Sequence, residues 1–410
     1  MFGGGDEVSS LVFDLGTYTH RIGYSGEDSP KCVYQPLIGI NSNNKYFFNE
    51  YGLRYKNPKT KILSFMNQDG TIKDFDLFEK SLDNILKEDL SLDLSDHPLL
   101  FSEPSLHNKN YRIKLTEFMF EKYKIPAIYI SKSSVLSGFS CGRSTCLVFD
   151  SGHNMTYAVP VNEGYALQKC LIKNNIAGNY ITQLVQKKLE SKNIIINPFY
   201  SFKVKKNGEK FTTNYISDEE RNSFDKTYEN FWKNEIITDL KEACLITSDE
   251  PLKYDAEKDE FIPTSITPEL IYDLPDKTTV NLMQDRNLIL ERIFNPIKEY
   301  PGFAGYHQMV NDAISKADLE IKKELYSNIF ICGGNTLFNG FPERFQKQIS
   351  NTNRQMYKLK IITHPSNTEK KFSSWIGGSI LSSLGTFHQL WLSKAEFEEH
   401  GAMIIERKCA

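Results

Sequence analysis

The hexapeptide LVFDLG at residues 11–16 returns as LVFDSG at residues 147–152, and this repeat decides how the rest of the chain is read. Each copy is an apolar run ending in Asp–x–Gly. A short apolar run closed by a Gly-containing turn reads as a strand buried in a sheet. Extended, the copies are FDLGTYTHRIGYSGE and FDSGHNMTYAVPVNEGYAL. Both run strand, tight turn with Gly and hydroxyl residues, second apolar strand. Such turns aim backbone N–H groups into one concavity, which suits phosphate oxygens. Thr17, Thr19, Ser151 and Thr156 add hydroxyl donors, and Arg21 adds a cation from the far side of the first turn. Asp14 and Asp150 would repel phosphate unless a cation lies between, so they read as acceptors for water held by Mg²⁺, which keeps much of its hydration.

Working outward, PAIYISK at 126–132 and SNIFICGG at 327–334 give further strand patterns, the second ending in Gly333 and Gly334. Paired glycines after a strand let the backbone approach a flat ligand closely. Helical patterns lie between: NYRIKLTEFMFEKYKI carries Ile113, Leu115, Phe118 and Phe120 among charges. SWIGGSILSSLGTFHQLW spaces Ile376, Ile380, Leu384 and Phe387 as one apolar stripe, weakened as a helix by its glycines. Alternating strands and helices indicate an α/β chain. Residues 41–60 and 201–230 are polar and read as solvated excursions.

The 410 residues suffice for two domains. A net charge of −3 gives no reason to expect a non-specific grip on nucleic acid or an anionic membrane. No apolar run approaches the roughly 20 residues that span a bilayer, and the N-terminus lacks the pattern of a signal peptide. Seven scattered cysteines without a C-x-x-C pair read as reduced thiols rather than a disulfide frame or zinc site.

Two Asp–x–Gly hairpins, GGNTLFNGF at 333–341 and the run KKFSSWIGGSILSSLGTFHQLWLSKAEFEEHG with a later ERKC together resemble the actin superfamily over essentially the whole chain. The lead GGDEVSSLVFDLGTYTHRIGYSGEDSPK and YDLPDKTTVNLMQDR at 272–286 are closer to nuclear actin-related proteins of the actin-related protein 4 (actin-like 6) class. The resemblance implies an α/β actin fold of two lobes, with duplicated ribonuclease-H-like cores around a nucleotide cleft. Residues 1–140 plus 373–410 would form the first lobe, with an outer subdomain near 36–70. Residues 141–372 would form the second, with an outer subdomain near 180–270. By motif, Asp14, Gly16, Thr17, Tyr18 and Arg21 would form the first phosphate hairpin, and Asp150, Ser151, Gly152 and Thr156 the second. Lys241 and Glu242 would lie by ribose and adenine, Gly333, Gly334, Asn335 and Phe338 would enclose the nucleoside, and Lys371 would lie against the adenine. The implied cofactors are ATP or ADP with Mg²⁺, held by Asp14 and Asp150 through water.

Against a hydrolysing actin, Ser133 stands where a Gln positions the attacking water and Tyr157 where a His follows the second hairpin. Ser is too short for that gap and Tyr is a weak base at neutral pH. Phosphoryl transfer depends on positioning and electrostatics, so the expectation is a non-enzyme that holds ATP structurally, with weak or absent hydrolysis. The Asn-rich stretch around 36–60 lacks an apolar tip for filament contacts, so a homopolymer is not expected. The resemblance implies a nuclear subunit, with some cytoplasmic pool, of chromatin-remodelling and histone acetyltransferase complexes. Its partners would be an amphipathic helix of a remodeler ATPase, actin, other remodeler subunits and histones, with no membrane. The helix would dock in a cleft lined by Phe139, Gly142, Tyr165, Leu381, Leu384, Thr386 and Leu390. The rival readings are a divergent cytoskeletal actin-like ATPase that polymerises, and a sugar or acetate kinase on the same core. The kinase leaves the C-terminal run without a role.

Overall fold

The strand patterns around Asp14, Ile130, Asp150 and Ile331 become Leu11–Leu15, Ala127–Lys132, Cys146–Ser151 and Ile329–Cys332. The structure is a computed structural model that describes residues 9–54, 59–207, 210–255, 257, 260–263, 267–296, 302–352 and 357–409. The acidic lead GDEV at 5–8 lies outside them. Strands covered on both faces need apolar residues without alternation. Accordingly every residue of Leu11–Leu15 and of Ile329–Cys332 is buried.

The first sheet runs Leu392–Ser393, Ala127–Lys132, Leu99–Glu103, Leu11–Leu15, His20–Tyr24, Cys32–Tyr34. The second runs Tyr165–Ala166, Thr156–Asn162, Cys146–Ser151, Ile329–Cys332, Ile361–Ile362, with Ile172–Asn174 also on Thr156–Asn162. Each begins with an antiparallel hairpin whose first strand then pairs in parallel with a distant strand. The registers match as well. Leu15 faces His20 and Ser151 faces Thr156, leaving tips at 16–19 and 152–155. Asp14 lies beside Ser102 and Asp150 beside Cys332 on the parallel side. The sequence repeat is thus a repeat of topology, one core per lobe. One core centres on Phe13, Phe78 and Phe101, the other on Phe149, Phe294 and Phe341.

Helix Ser133–Ser140, which leads from the first sheet to the second, packs against helix Asn367–Ser382, which leads back. The second helix starts with a capping box, Ser366 reciprocating with Glu369. Its buried face is made of Ser373, Ser374, Trp375, Gly377, Gly378 and Leu381. A Cβ on Gly377 would lie 1.7 Å from the Leu136 carbonyl oxygen. The apolar stripe expected from sequence therefore faces outward. The helix ends at Ser382, and Ile380 and Leu384 are 43% and 50% exposed, while Phe387 alone of that stripe is buried. At so close a helix contact only small residues fit, so the glycines read as weakening the helix are the packing face.

Both polar excursions also carry structure. Leu37–Ile40, Tyr46–Phe47 and Lys61–Ser64 form a small sheet with a helix at Asn49–Arg54. Residues 202–215 form a hairpin, and helix Lys226–Cys244 follows. Tyr200, Phe224, Tyr228, Phe231 and Trp232 bury one another together with Leu53 and Ile62 of the small sheet's segment. The segment is poor in aliphatics, and its aromatics supply the core instead. Among the described residues all seven cysteines are free, and no helix is long and apolar enough to cross a membrane.

Candidate functional site

The tips of the two hairpins approach each other across a cavity of about 400 Å³, within the size range of small-molecule pockets. Tyr18 from the first tip and His153 from the second meet at 4.9 Å between ring centroids. Behind the tips the two carboxylates face one space. Burial, and then the Asp14 carboxylate, push Asp150 up to about 6. Cross-strand pairing puts Arg21 opposite Asp14 and Tyr157 opposite Asp150, so the two hairpins offer unlike groups at equivalent positions. Arg21 Nη1 lies 2.5 Å from Asp14 Oδ2, and its Nη2 donates to Thr19 Oγ1 at 2.9 Å.

The second lobe supplies the wider end. Gly333 adopts φ +87°, and a Cβ there would meet Ser151 O at 2.4 Å and Asp150 Oδ1 at 2.5 Å, so only glycine fits this turn. Asn335 Nδ2 donates to Gly152 O at 2.8 Å and to Ser151 Oγ at 3.0 Å, tying the 333–335 turn to the second hairpin. Lys241 is 4% exposed and donates to Thr182 Oγ1 at 3.2 Å. Burial lowers it to about 8, opposed by Glu242. Lys371 pairs with Glu242 at 3.6 Å.

Of the residues expected from sequence, Asp14, Gly16, Thr17, Tyr18, Arg21, Asp150, Gly152, Lys241, Glu242, Gly333, Gly334, Asn335, Phe338 and Lys371 line this one cavity. Ser151 and Thr156 do not. They sit 2.8 Å apart, Ser151 Oγ lies 3.1 Å from the Tyr306 hydroxyl, and Thr156 Oγ1 donates to Ile176 O at 2.7 Å. On the second hairpin these alternate positions point into the lobe and brace it from behind, as the two-residue period of a strand dictates.

Ser133 and Tyr157 both face the cavity. Ser133 Oγ is occupied with Ser105 Oγ at 3.0 Å. Burial, followed by the Asp69 and Asp150 carboxylates, holds the Tyr157 phenol well above its ordinary value, so it has no basic oxygen at neutral pH. His153 is lowered to about 4 by burial and then by Lys241, so its ring is neutral.

Sequence reasoning missed the outer mouth. Glu235 accepts from Gln35 Nε2 at 2.8 Å and from the Tyr18 hydroxyl at 3.4 Å, and pairs with Arg54 at 3.4 Å. These contacts cross between the lobes and carry no local motif. The Asp69–Gly70 turn, Thr238 and Phe372 also line the cavity unannounced. Phe372, beside Lys371, was the one with a signal to follow.

The residues present fit a nucleotide. Arg21 lines the cavity, and each of its two terminal nitrogens keeps one N–H beyond those given to Asp14 and Thr19. Two facing carboxylates suit a hydrated Mg²⁺. Among the described residues no group of three His, Cys, Asp or Glu could ligate a metal directly.

The sequence pattern of the family described as Actin matches residues 5–410. The chain belongs to the actin family. Relatives of this actin-family chain include actin-related protein 4 of Arabidopsis thaliana, 36% identical over 99% of each chain. Actin-related protein 4 of Oryza sativa subsp. indica is 33% identical over 99% of each. Actin-related protein 4 of Schizosaccharomyces pombe is 31% identical over 100% of this chain and 99% of its own length. The duplicated sheets and the cavity between them are the actin fold and its cleft.

Proposed function

We propose that this actin-related protein is a nuclear subunit of chromatin-remodelling complexes, and of histone acetyltransferase complexes, that docks a long amphipathic helix of a remodeler ATPase beside actin. The observation that carries this reading is the outward apolar surface at the end of helix Asn367–Ser382. Ile380, Leu384 and Leu390 are 43%, 50% and 50% exposed, and Tyr165 is 61% exposed. A Cβ on Gly164, next to Tyr165, would lie 3.4 Å from the Phe139 ring, and Phe139 packs on the cluster of Leu381 and Phe387, so the surface runs from Tyr165 to the C-terminal segment. Helices commonly seat an apolar face in such a surface. Phe139 and Leu381 are more deeply placed and form its floor. We place the lobe boundaries near 140 and 373, where the two sheets exchange the chain.

ATP or ADP with Mg²⁺ occupies the cleft as a structural ligand, contacted by the cavity-lining residues named above, with little or no hydrolysis. The Ser133 and Tyr157 geometry supports this, because Ser133 Oγ is engaged with Ser105 and neither hydroxyl is a base at neutral pH. A ligand bound only to the folded state stabilises it by mass action without turnover. Affinity purification of the full chain from nuclear extract tests the reading. The wild type is expected to bring down a remodeler ATPase and actin. Leu384→Asp, at an exposed position, should reduce ATPase recovery by about tenfold or more. Equal recovery would count against the surface, and reversible pelleting of the chain alone would favour the cytoskeletal reading.

A further inference from the structure

Residues 202–215 form a two-stranded ribbon that belongs to neither main sheet, and none of them lines the cleft cavity. One face of the ribbon rests on the turn at 274–278. Thr213 Oγ1 donates to Asp276 O at 2.6 Å, the Tyr215 hydroxyl donates to Asp276 Oδ2 at 3.2 Å, and Lys277 lies 5.1 Å over the Phe211 ring. That turn belongs to YDLPDKTTVNLMQDR, so two segments to which the cleft gives no role meet here. The other face follows from the register. Lys203 pairs with Asn214 and Lys205 with Thr212, and by the two-residue period of a strand these four side chains share one face. All four are exposed. Lys206, 5.8 Å over Phe211, and Lys277 add charge around that ring. Among the described residues none of these four lysines is ion-paired, although the whole chain carries a net charge of −3.

From this we infer that the ribbon is a docking strand for an extended acidic segment of a partner protein, with carboxylates at alternate positions. Each strand of the ribbon has a single sheet partner among the described residues, which leaves an edge of backbone N–H and C=O groups that accepts an added strand. Lysine on such an edge repels a second copy of the same edge and favours a partner of opposite charge. An added strand has the same period, so every second side chain lies on the lysine face. The bracing on Asp276 fixes the ribbon before binding and spares the cost of ordering it. Duplex DNA fits less well. Helix Asp218–Asn222 begins just beyond Tyr215 with Asp218, Glu219 and Glu220 in its first turn. A duplex carries a charge about every 1.7 Å and would extend over these carboxylates. A short peptide need not.

Fluorescence anisotropy of labelled ETETETET and EEEETTTT, titrated with the full chain, tests the inference. The two peptides share composition and charge and differ in spacing alone. The wild type is expected to bind the alternating peptide about tenfold more tightly, the scale of a few cross-strand pairs. Lys203→Glu with Lys205→Glu should weaken that binding by about tenfold and gain affinity for KTKTKTKT. Equal affinity of the wild type for the two acidic peptides, or none for either, overturns the inference. Undiminished binding by the double variant removes the ribbon from the account. A duplex oligonucleotide that binds the wild type more tightly than ETETETET, and the variant more weakly, would make the ribbon a nucleic-acid contact and overturn it as well. The wild-type comparison decides the matter even if the variant fails to fold.

Discussion

His20 opens the second strand of the first hairpin wholly buried, its ring 5.2, 5.5 and 6.5 Å from those of Tyr34, Phe65 and Phe78. Nδ1 lies 3.3 Å from the Tyr34 hydroxyl, and Nε2 has no partner. Burial, followed by the neighbouring Arg21 charge, pushes the ring down to about 3. In the unfolded chain a histidine titrates near 6.5. As pH falls below that value the unfolded chain gains a proton that the folded one refuses. The stability present above pH 6.5 is therefore lost, at about 1.4 kcal/mol per pH unit, until the pH approaches 3. His153 and His307, each lowered to about 4 with burial as the first cause, add the same sign. His20→Phe removes one such group and fills the site with a ring of similar shape. Urea unfolding at pH 7, 6 and 5 should show the variant gaining on the wild type by about 1 kcal/mol per unit below pH 6.5. A difference that does not change with pH would mean that the ring accepts its proton inside the fold. None of this was legible in THRIGYS, since nothing local marks this histidine as buried. The cavity residues were legible because Asp14 and Asp150 sit at the ends of apolar strands.

At the scale of elements, buried strands were the most legible part of the chain, because burial on both faces writes a continuous apolar run. The helix Asn367–Ser382 was misread because its periodic apolar residues face outward. Its core contact is a backbone-to-backbone approach that small residues permit. Gly377→Ala should therefore destabilise the protein despite alanine's helix preference of about 1 kcal/mol. The new methyl would lie 1.7 Å from Leu136 O, against backbone that cannot rotate away. Overpacking of this kind costs about 1–3 kcal/mol, more than alanine's helix preference returns. Gly385, where a Cβ would meet nothing within 4 Å, is the control, and Gly385→Ala should fall within about 0.5 kcal/mol of the wild type. Denaturant unfolding of both variants at saturating ATP measures the contrast. Equal stabilities would mean that the helices can separate freely. The 201–230 segment was misread for a related reason: its aromatics are spread among charges, and only the partner surface at Leu53 and Ile62 makes them a core.

For the whole molecule that aromatic cluster matters more than its size suggests, because it packs residues 200–232 against Leu53 and Ile62 of the small sheet's segment. The polar contacts beneath it act in the same sense. Ile62 N donates to Thr227 Oγ1 at 2.9 Å, and Glu235 gathers Gln35, Arg54 and Tyr18 from across the gap. If a nucleotide occupies the cleft, as proposed, these contacts beside Tyr18 are ones its release would have to part. On that reading, opening of the mouth is the slow step of nucleotide exchange. Glu235→Ala removes three cross-cleft partners without emptying the apolar cluster, so it should leave the fold intact. Release of labelled ATP into excess unlabelled ATP should then quicken by about tenfold, since the Gln35 bond to a charged group is worth about 1.5 kcal/mol and the longer, more exposed contacts add little. Release at the wild-type rate would place the barrier at the phosphate hairpins instead, where the Tyr18–His153 contact joins the two tips.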